Sequence, residues 1–174
     1  MPTFATTMIS VFMCACLTTF SAAQQEDAAT KAPCSAPEHR QFDFWLGEWD
    51  VTANGKHAGN NKITAILGGC AVMEEWHSAN GGYAGKSFNR YDPQRKQWEQ
   101  IWVDNQGGIL RLAGEYRDAK MTLEGGSTLE GETVVDRITW YNNEDGTVRQ
   151  VWQKSKDGGK SWGDVFDGLY VRKK

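Results

Sequence analysis

Phe42-Asp43-Phe44-Trp45-Leu46-Gly47-Glu48-Trp49-Asp50-Val51 is the stretch that decides the fold. It sets Phe42, Phe44, Trp45 and Trp49 close together, runs through a Gly-x-Trp, and opens an alternating strand. An aromatic plug directly before a strand suits the closed end of a small β-barrel, where a large ring fills the floor. A barrel of about eight strands has room for packed side chains or one small ligand. The motif therefore predicts a container of ligand size.

Upstream, Ser35-Ala36-Pro37-Glu38 has capping-box spacing with Pro in the first turn, which predicts a short helical turn over about residues 37–45. Downstream, no 3.6-residue periodicity is found. Short alternating runs separated by Gly, Asn and Asp clusters predict strands at 47–53, 62–67, 71–78, 82–91, 97–104, 109–116, 120–124, 133–141, 147–155 and 163–172. The connections, such as Asn54-Gly55 and Asp92-Pro93, are short, so sequential strands pair antiparallel. The fold class is therefore all-β: an antiparallel up-and-down barrel of about eight to ten strands with a short N-terminal helical turn. Closure would remove the exposed edges.

The N-terminal end has a different composition. Met8 to Phe20 is apolar but too short to span a bilayer as a helix, and Ser21-Ala22-Ala23 supplies small residues for cleavage. Residues 1–23 read as a signal peptide, although no Lys or Arg precedes Lys31. Residues 24–36 read as a flexible lead-in and 37–174 as one barrel domain. The expected location is secreted or periplasmic, with no stable membrane insertion after cleavage. In an oxidising compartment Cys34 and Cys70 are expected to form a disulfide.

Net charge is −3, from 19 basic and 22 acidic residues, and no basic cluster interleaves with the aromatics. This composition excludes nucleic acid as an expected partner. His39, His57 and His77 are isolated, with no paired-Cys or His-x-His spacing, so no metal or other cofactor is predicted. Gly85-Lys86-Ser87 lacks the second glycine of a nucleophile elbow. Ser155-x-Asp157-x-Gly159-x-x-Trp162 is an Asp box, in which Asp157 caps turn donors and Trp162 packs on the hairpin; its reading is structural.

Strand parity carries the functional inference. Trp98, Gln100, Trp102 and Asp104 share one face, as do Val148, Gln150 and Trp152, and Val72, Glu74 and Trp76. Turned inward, these faces line a cavity with Trp76, Trp102 and Trp152 as walls and Glu74, Gln100 and Gln150 as polar contacts. Glu74, flanked by Val72 and Trp76, is the candidate for chemistry; a structural ion pair with Arg111 or Arg137 is its bland alternative.

Phe42–Val51 resembles the hallmark of a bacterial, often secreted family labelled domain of unknown function family 1579. Similar matches follow at Gly69-Cys70, Glu74-x-Trp76, Gly85 to Asn89, Trp98 to Asp104, Ser155 to Trp162 and Phe166 to Tyr170. The resemblance implies no particular activity. More distantly, Gly47-x-Trp49 with Arg172 in the last strand is similar to the lipocalin and calycin arrangement. That likeness implies that Trp49 plugs the floor and that Arg172 packs across it as a cation–π partner.

These readings converge on a small-molecule-binding barrel for a partly aromatic or amphipathic ligand, with enzyme activity the less favoured outcome. One alternative is an isomerase or hydrolase using Glu74. Another is a protein-interaction module on the outer face, which requires a filled or empty lumen and an external Trp patch.

Overall fold

The computed structural model describes Met1 and residues 32–174. The expected signal segment and most of the lead-in lie outside the described residues.

Ten strands follow two short 3₁₀ turns, Pro37–Arg40 and Asp43–Trp45. They are β1 Gly47–Ala53, β2 Lys56–Ile66, β3 Ala71–Ser78, β4 Ala84–Asp92, β5 Gln97–Asp104, β6 Ile109–Arg117, β7 Lys120–Leu129, β8 Glu132–Asn142, β9 Val148–Ser155 and β10 Gly163–Arg172. Every strand pairs antiparallel with its neighbours in sequence, and β1 pairs with β10 to close the barrel. The expected up-and-down barrel is therefore present. The capping box is not made: Ala36 holds the cap position of the first turn and no side chain bonds there. The expected short helical turn is present, as two 3₁₀ pieces.

β1 shows why the strands form. Trp49 and Val51 are buried while Glu48 and Asp50 are exposed, the period-two alternation of a sheet with one face inward. Asn54 and Gly55 both take positive φ, 51° and 71°, as a two-residue type I′ hairpin turn requires. That turn lets β2 begin at Lys56, well before the expected Lys62. β7 likewise runs on through Gly125 and Gly126, which the sequence reads as a turn.

The floor is a wedge of rings. Phe42, Trp45, Trp49, Trp98 and Trp140 are all essentially inaccessible. Phe42 stacks on Trp45 at 4.9 Å between ring centroids and meets Trp98 and Trp140 edge-on at 5.5 and 5.2 Å. Trp49 donates from Nε1 to the Trp45 carbonyl at 2.8 Å. The Arg172 guanidinium lies 4.4 Å from the Trp49 ring centroid and donates to the Leu46 carbonyl at 2.8 Å. The expected Trp49–Arg172 pair therefore exists, but the plug is shared with Phe42 and Trp45. The Cys34–Cys70 disulfide, with Cα atoms 5.0 Å apart, and a bond from Trp98 Nε1 to Gln41 Oε1 at 3.1 Å anchor the wedge segment to the wall.

At the opposite end the Asp box closes the β9–β10 hairpin. Asp157 accepts from the backbone of Lys160 and Ser161, both at 2.9 Å, and from the Ser155 and Ser161 hydroxyls. These donors hold its carboxyl far below the usual carboxylate range. Trp162 Nε1 donates to the Gly159 carbonyl, and its ring carries the Arg137 guanidinium at 3.7 Å.

Candidate functional site

Above the wedge the barrel opens into a cavity of about 310 Å³. All six residues proposed from strand parity line it: Glu74, Trp76, Gln100, Trp102, Gln150 and Trp152. Register explains their convergence. Trp76 on β3 pairs with Gly85 on β4, Ser87 on β4 pairs with Trp102 on β5, and Trp140 on β8 pairs with Gln150 on β9. Successive inward positions on neighbouring strands thus meet across one lumen.

Glycines seat the aromatic walls. A Cβ on Gly85 would overlap the Trp102 indole, one on Gly59 the Trp76 indole, and one on Gly168 the Phe166 ring. Each ring lies flat over a residue with no side chain, which fixes its tilt and leaves the lumen open. Trp76 and Phe166 also meet edge-on at 6.2 Å. Phe166, Tyr83, Tyr170 and Trp140 complete an aromatic lining that parity reasoning only partly anticipated.

Glu74 sits at the centre of a buried polar network and is 4% exposed. Its Oε1 accepts from Asn61 Nδ2 and its Oε2 from Ser87 Oγ, both at 2.7 Å. Burial pushes its pKa up from 4.5 to about 7, against the opposing pull of those two donors. The ion pair weighed as an alternative is not formed: Arg137 bonds Glu124 on the outer face, and the exposed Arg111 has outward parity on β6. Asn61 and Ser87 replace an arginine because β2 and β4 flank β3, with Ser87 directly opposite Glu74 and Asn61 diagonal to it, opposite Trp76.

Gln100 belongs to the same network. Its Nε2 donates to Asn89 Oδ1 at 2.8 Å and lies 3.4 Å from Ser87 Oγ, and Asn89 Nδ2 donates to Ser87 Oγ at 2.9 Å. Gln150 Oε1 accepts from the Tyr170 hydroxyl. Asp104, on the same face as Trp102, accepts from Tyr83 Oη at 3.1 Å and Trp102 Nε1 at 3.4 Å. Burial raises the Asp104 pKa, but backbone donors at Gly108 and Gln106 outweigh it and hold the carboxyl below its ordinary value. Burial and the Asp104 bond push the Tyr83 hydroxyl up to about 12.

Asn61, Asn89, Tyr83, Tyr170 and Trp140 were not singled out from sequence as site residues. The Ser87/Asn89 parity on β4 was the available signal. His77 is exposed on the outer face, and among the described residues no three His, Cys, Asp or Glu side chains gather as a metal set. Among the described residues no Trp is exposed, although Phe88, Ile101, Val103 and Ile109 are. No helix of the described residues is long and apolar enough to cross a membrane.

Fold and site together define a closed antiparallel barrel with an aromatic cavity over an acid-centred polar floor. No family model and no curated protein matches the chain.

Proposed function

We propose that this protein is a small-molecule-binding barrel that takes a partly aromatic ligand into the cavity. The observation that carries the reading is the composition of that lining: indole walls at Trp76, Trp102 and Trp152 around the few polar groups Glu74, Gln100 and Gln150. Apolar walls with sparse, placed polar atoms are the chemistry of a binding pocket. Among the described residues no Trp is exposed, so the external Trp patch required by the interaction-module alternative is missing.

Export to a periplasm or beyond belongs to the same proposal and is supported by the Cys34–Cys70 bridge. So does membership of family 1579, supported by the Phe42–Val51 motif and its downstream matches.

The test is calorimetric titration with tryptophol, a neutral aryl alcohol, against the wild type and Trp76→Ala with Trp152→Ala. Binding to the wild type and its loss in the doubly substituted, still folded protein is expected; no binding to the wild type refutes the reading. A catalytic reading is favoured by one observation, a cavity-lining carboxyl that titrates near neutrality. Under it Glu74→Gln abolishes turnover of a bound substrate, whereas in a binder it changes affinity alone.

A further inference from the structure

The polar floor has a direction. Asn89 Nδ2 donates to Ser87 Oγ, with Gln100 Nε2 also within reach, so the Ser87 hydroxyl proton is left to point at Glu74 Oε2. Asn61 Nδ2 donates to the other oxygen. Both carboxyl oxygens therefore accept, and the network is oriented to hold a negative charge. A carboxylate offers about four lone-pair sites, so roughly two remain open. Asn61 Oδ1 is buried with no hydrogen-bond partner, and Gln100 Oε1 accepts from no described residue once its Nε2 is committed to Asn89. Unused acceptors therefore remain around Glu74, alongside free donors at Gln150 Nε2, Trp140 Nε1 and Trp76 Nε1.

The charge inventory has the same sign. Among the described residues no Lys, Arg or His lines the cavity. The inward-facing Lys154 is 2.8 Å from Asp136, and Arg172 lies under the floor against Trp49. Among the described residues no cation pairs with Glu74, while Asp104, inward on β5 nearer the open end, is satisfied by its own donors. Around this acid stand Trp76, Trp102 and Trp140, the side chain that attracts a cation most strongly through its ring face, whereas the Trp152 ring already has the Lys154 ammonium 5.1 Å from its centroid.

We infer that the cavity selects an organic cation, a protonated amine on an aromatic or apolar body, with Glu74 as its counter-ion and the indole walls as its cage. This inference rests on the binding reading above and names the ligand class for that site. An anion would meet Glu74 with no cation lining the cavity among the described residues. A neutral molecule would leave the floor's charge uncompensated. An ammonium N–H can serve Glu74, Asn61 Oδ1 and Gln100 Oε1 together.

A proton is linked to the event. In the empty cavity burial holds the Glu74 carboxyl near 7, and a cation beside it favours the ionised form, so binding releases a proton below neutrality. The other titratable groups facing Glu74 are Tyr83 and Tyr170, both pushed up by burial and by Glu74 itself. Asp104 is held low by its donors, and the Asp136–Lys154 pair stands toward the open end.

Calorimetry with three indole probes tests this: tryptamine as the cation, tryptophol as the neutral analogue and indolepropionate as the anion, at pH about 8 and again at about 5.5. The expected order is tryptamine over tryptophol by about tenfold or more, with indolepropionate weakest, the ion pair and cage acting together. Tryptamine affinity should fall at the lower pH while tryptophol affinity holds. In Glu74→Gln the amine preference should collapse to within about twofold, with tryptophol binding retained. Equal affinity for amine and alcohol, preference for the carboxylate, or an amine preference that survives Glu74→Gln overturns the inference. If tryptophol binds without amine preference, only the charge selectivity fails. If no probe binds the folded wild type, the binding reading fails and takes this inference with it.

Discussion

Glu74 should make the empty barrel less stable as pH rises, and Glu74→Gln should remove that dependence. The carboxyl titrates near its ordinary 4.5 in the unfolded chain and near 7 in the folded one. Between these values the native state holds more protons than the unfolded state, so this group's contribution is fully present below about 4.5 and is lost as pH climbs through about 7. A displacement of that size corresponds to about 3 kcal/mol. Glutamine mimics the neutral acid in shape and charge. Its amide must face one former donor, Asn61 or Ser87, which adds a pH-independent offset of about 1–3 kcal/mol. The measurement is urea unfolding of both proteins across about pH 4 to 8.5 without ligand, with the difference in unfolding free energy plotted against pH. Subtraction cancels every other carboxylate. The difference curve should change by about 3 kcal/mol in favour of Glu74→Gln from the acid end to the basic end, then flatten above about pH 8. Parallel curves would show that Glu74 is not desolvated in the native state, and the account of the floor would fall.

Three further outcomes follow from the packing. Gly85→Ala must displace the Trp102 indole, so it should cost about 1–3 kcal/mol, change the near-ultraviolet circular dichroism and reduce tryptophol affinity. Arg172→Ala should lower the denaturation midpoint by the equivalent of about 1–2 kcal/mol, through loss of the Trp49 cation–π contact and the Leu46 bond, and leave probe affinity unchanged. Replacing Cys34 and Cys70 together by Ala opens a closed loop with a sequence separation of 36 and should cost about 3–4 kcal/mol in unfolding experiments, again without altering cavity affinity.

The barrel was legible because two local signals agree almost everywhere. β1, β3, β5 and β10 have the boundaries that alternation and turn residues predict, and all ten strands were anticipated. β2 begins before the expected Lys62 because glycine and asparagine at Gly59-Asn60-Asn61 are poor strand formers, and here partners on both sides override that preference. The same bias hid Asn61, which supplies a donor to Glu74. Inward parity placed all six candidate lining residues on one cavity, since period two admits only two faces. The glycine seats were not legible. Trp102 over Gly85 and Trp76 over Gly59 are diagonal contacts between strands, and they depend on a register that single-strand patterns do not contain. The donor direction of the floor was hidden for the same reason, because it needs Asn61, Glu74, Ser87, Asn89 and Gln100 on four adjacent strands at successive inward levels.

The two ends of this lumen answer different demands. The wedge at Phe42, Trp45, Trp49 and Trp98 is a dry aromatic stack whose polar atoms are mostly turned to local partners, as at Trp49 with Trp45 and Trp98 with Gln41. Such a stack closes the barrel and stabilises it by burial. The Glu74 floor does the reverse: it buries an acid without a counter-ion and leaves Asn61 Oδ1 unpartnered. The fold has no need of a carboxyl there, since Val72 on the same face of β3 is already buried and Trp76 is seated on Gly59. A leucine at position 74 would avoid the acid's desolvation penalty but would leave the Asn61 and Ser87 donors unpaired. A barrel that carries the penalty instead is less stable when empty and, above about pH 7, holds a charge that a cationic ligand would neutralise. Occupancy and stability are then coupled: whatever compensates Glu74 must also tighten the barrel, in proportion to its affinity.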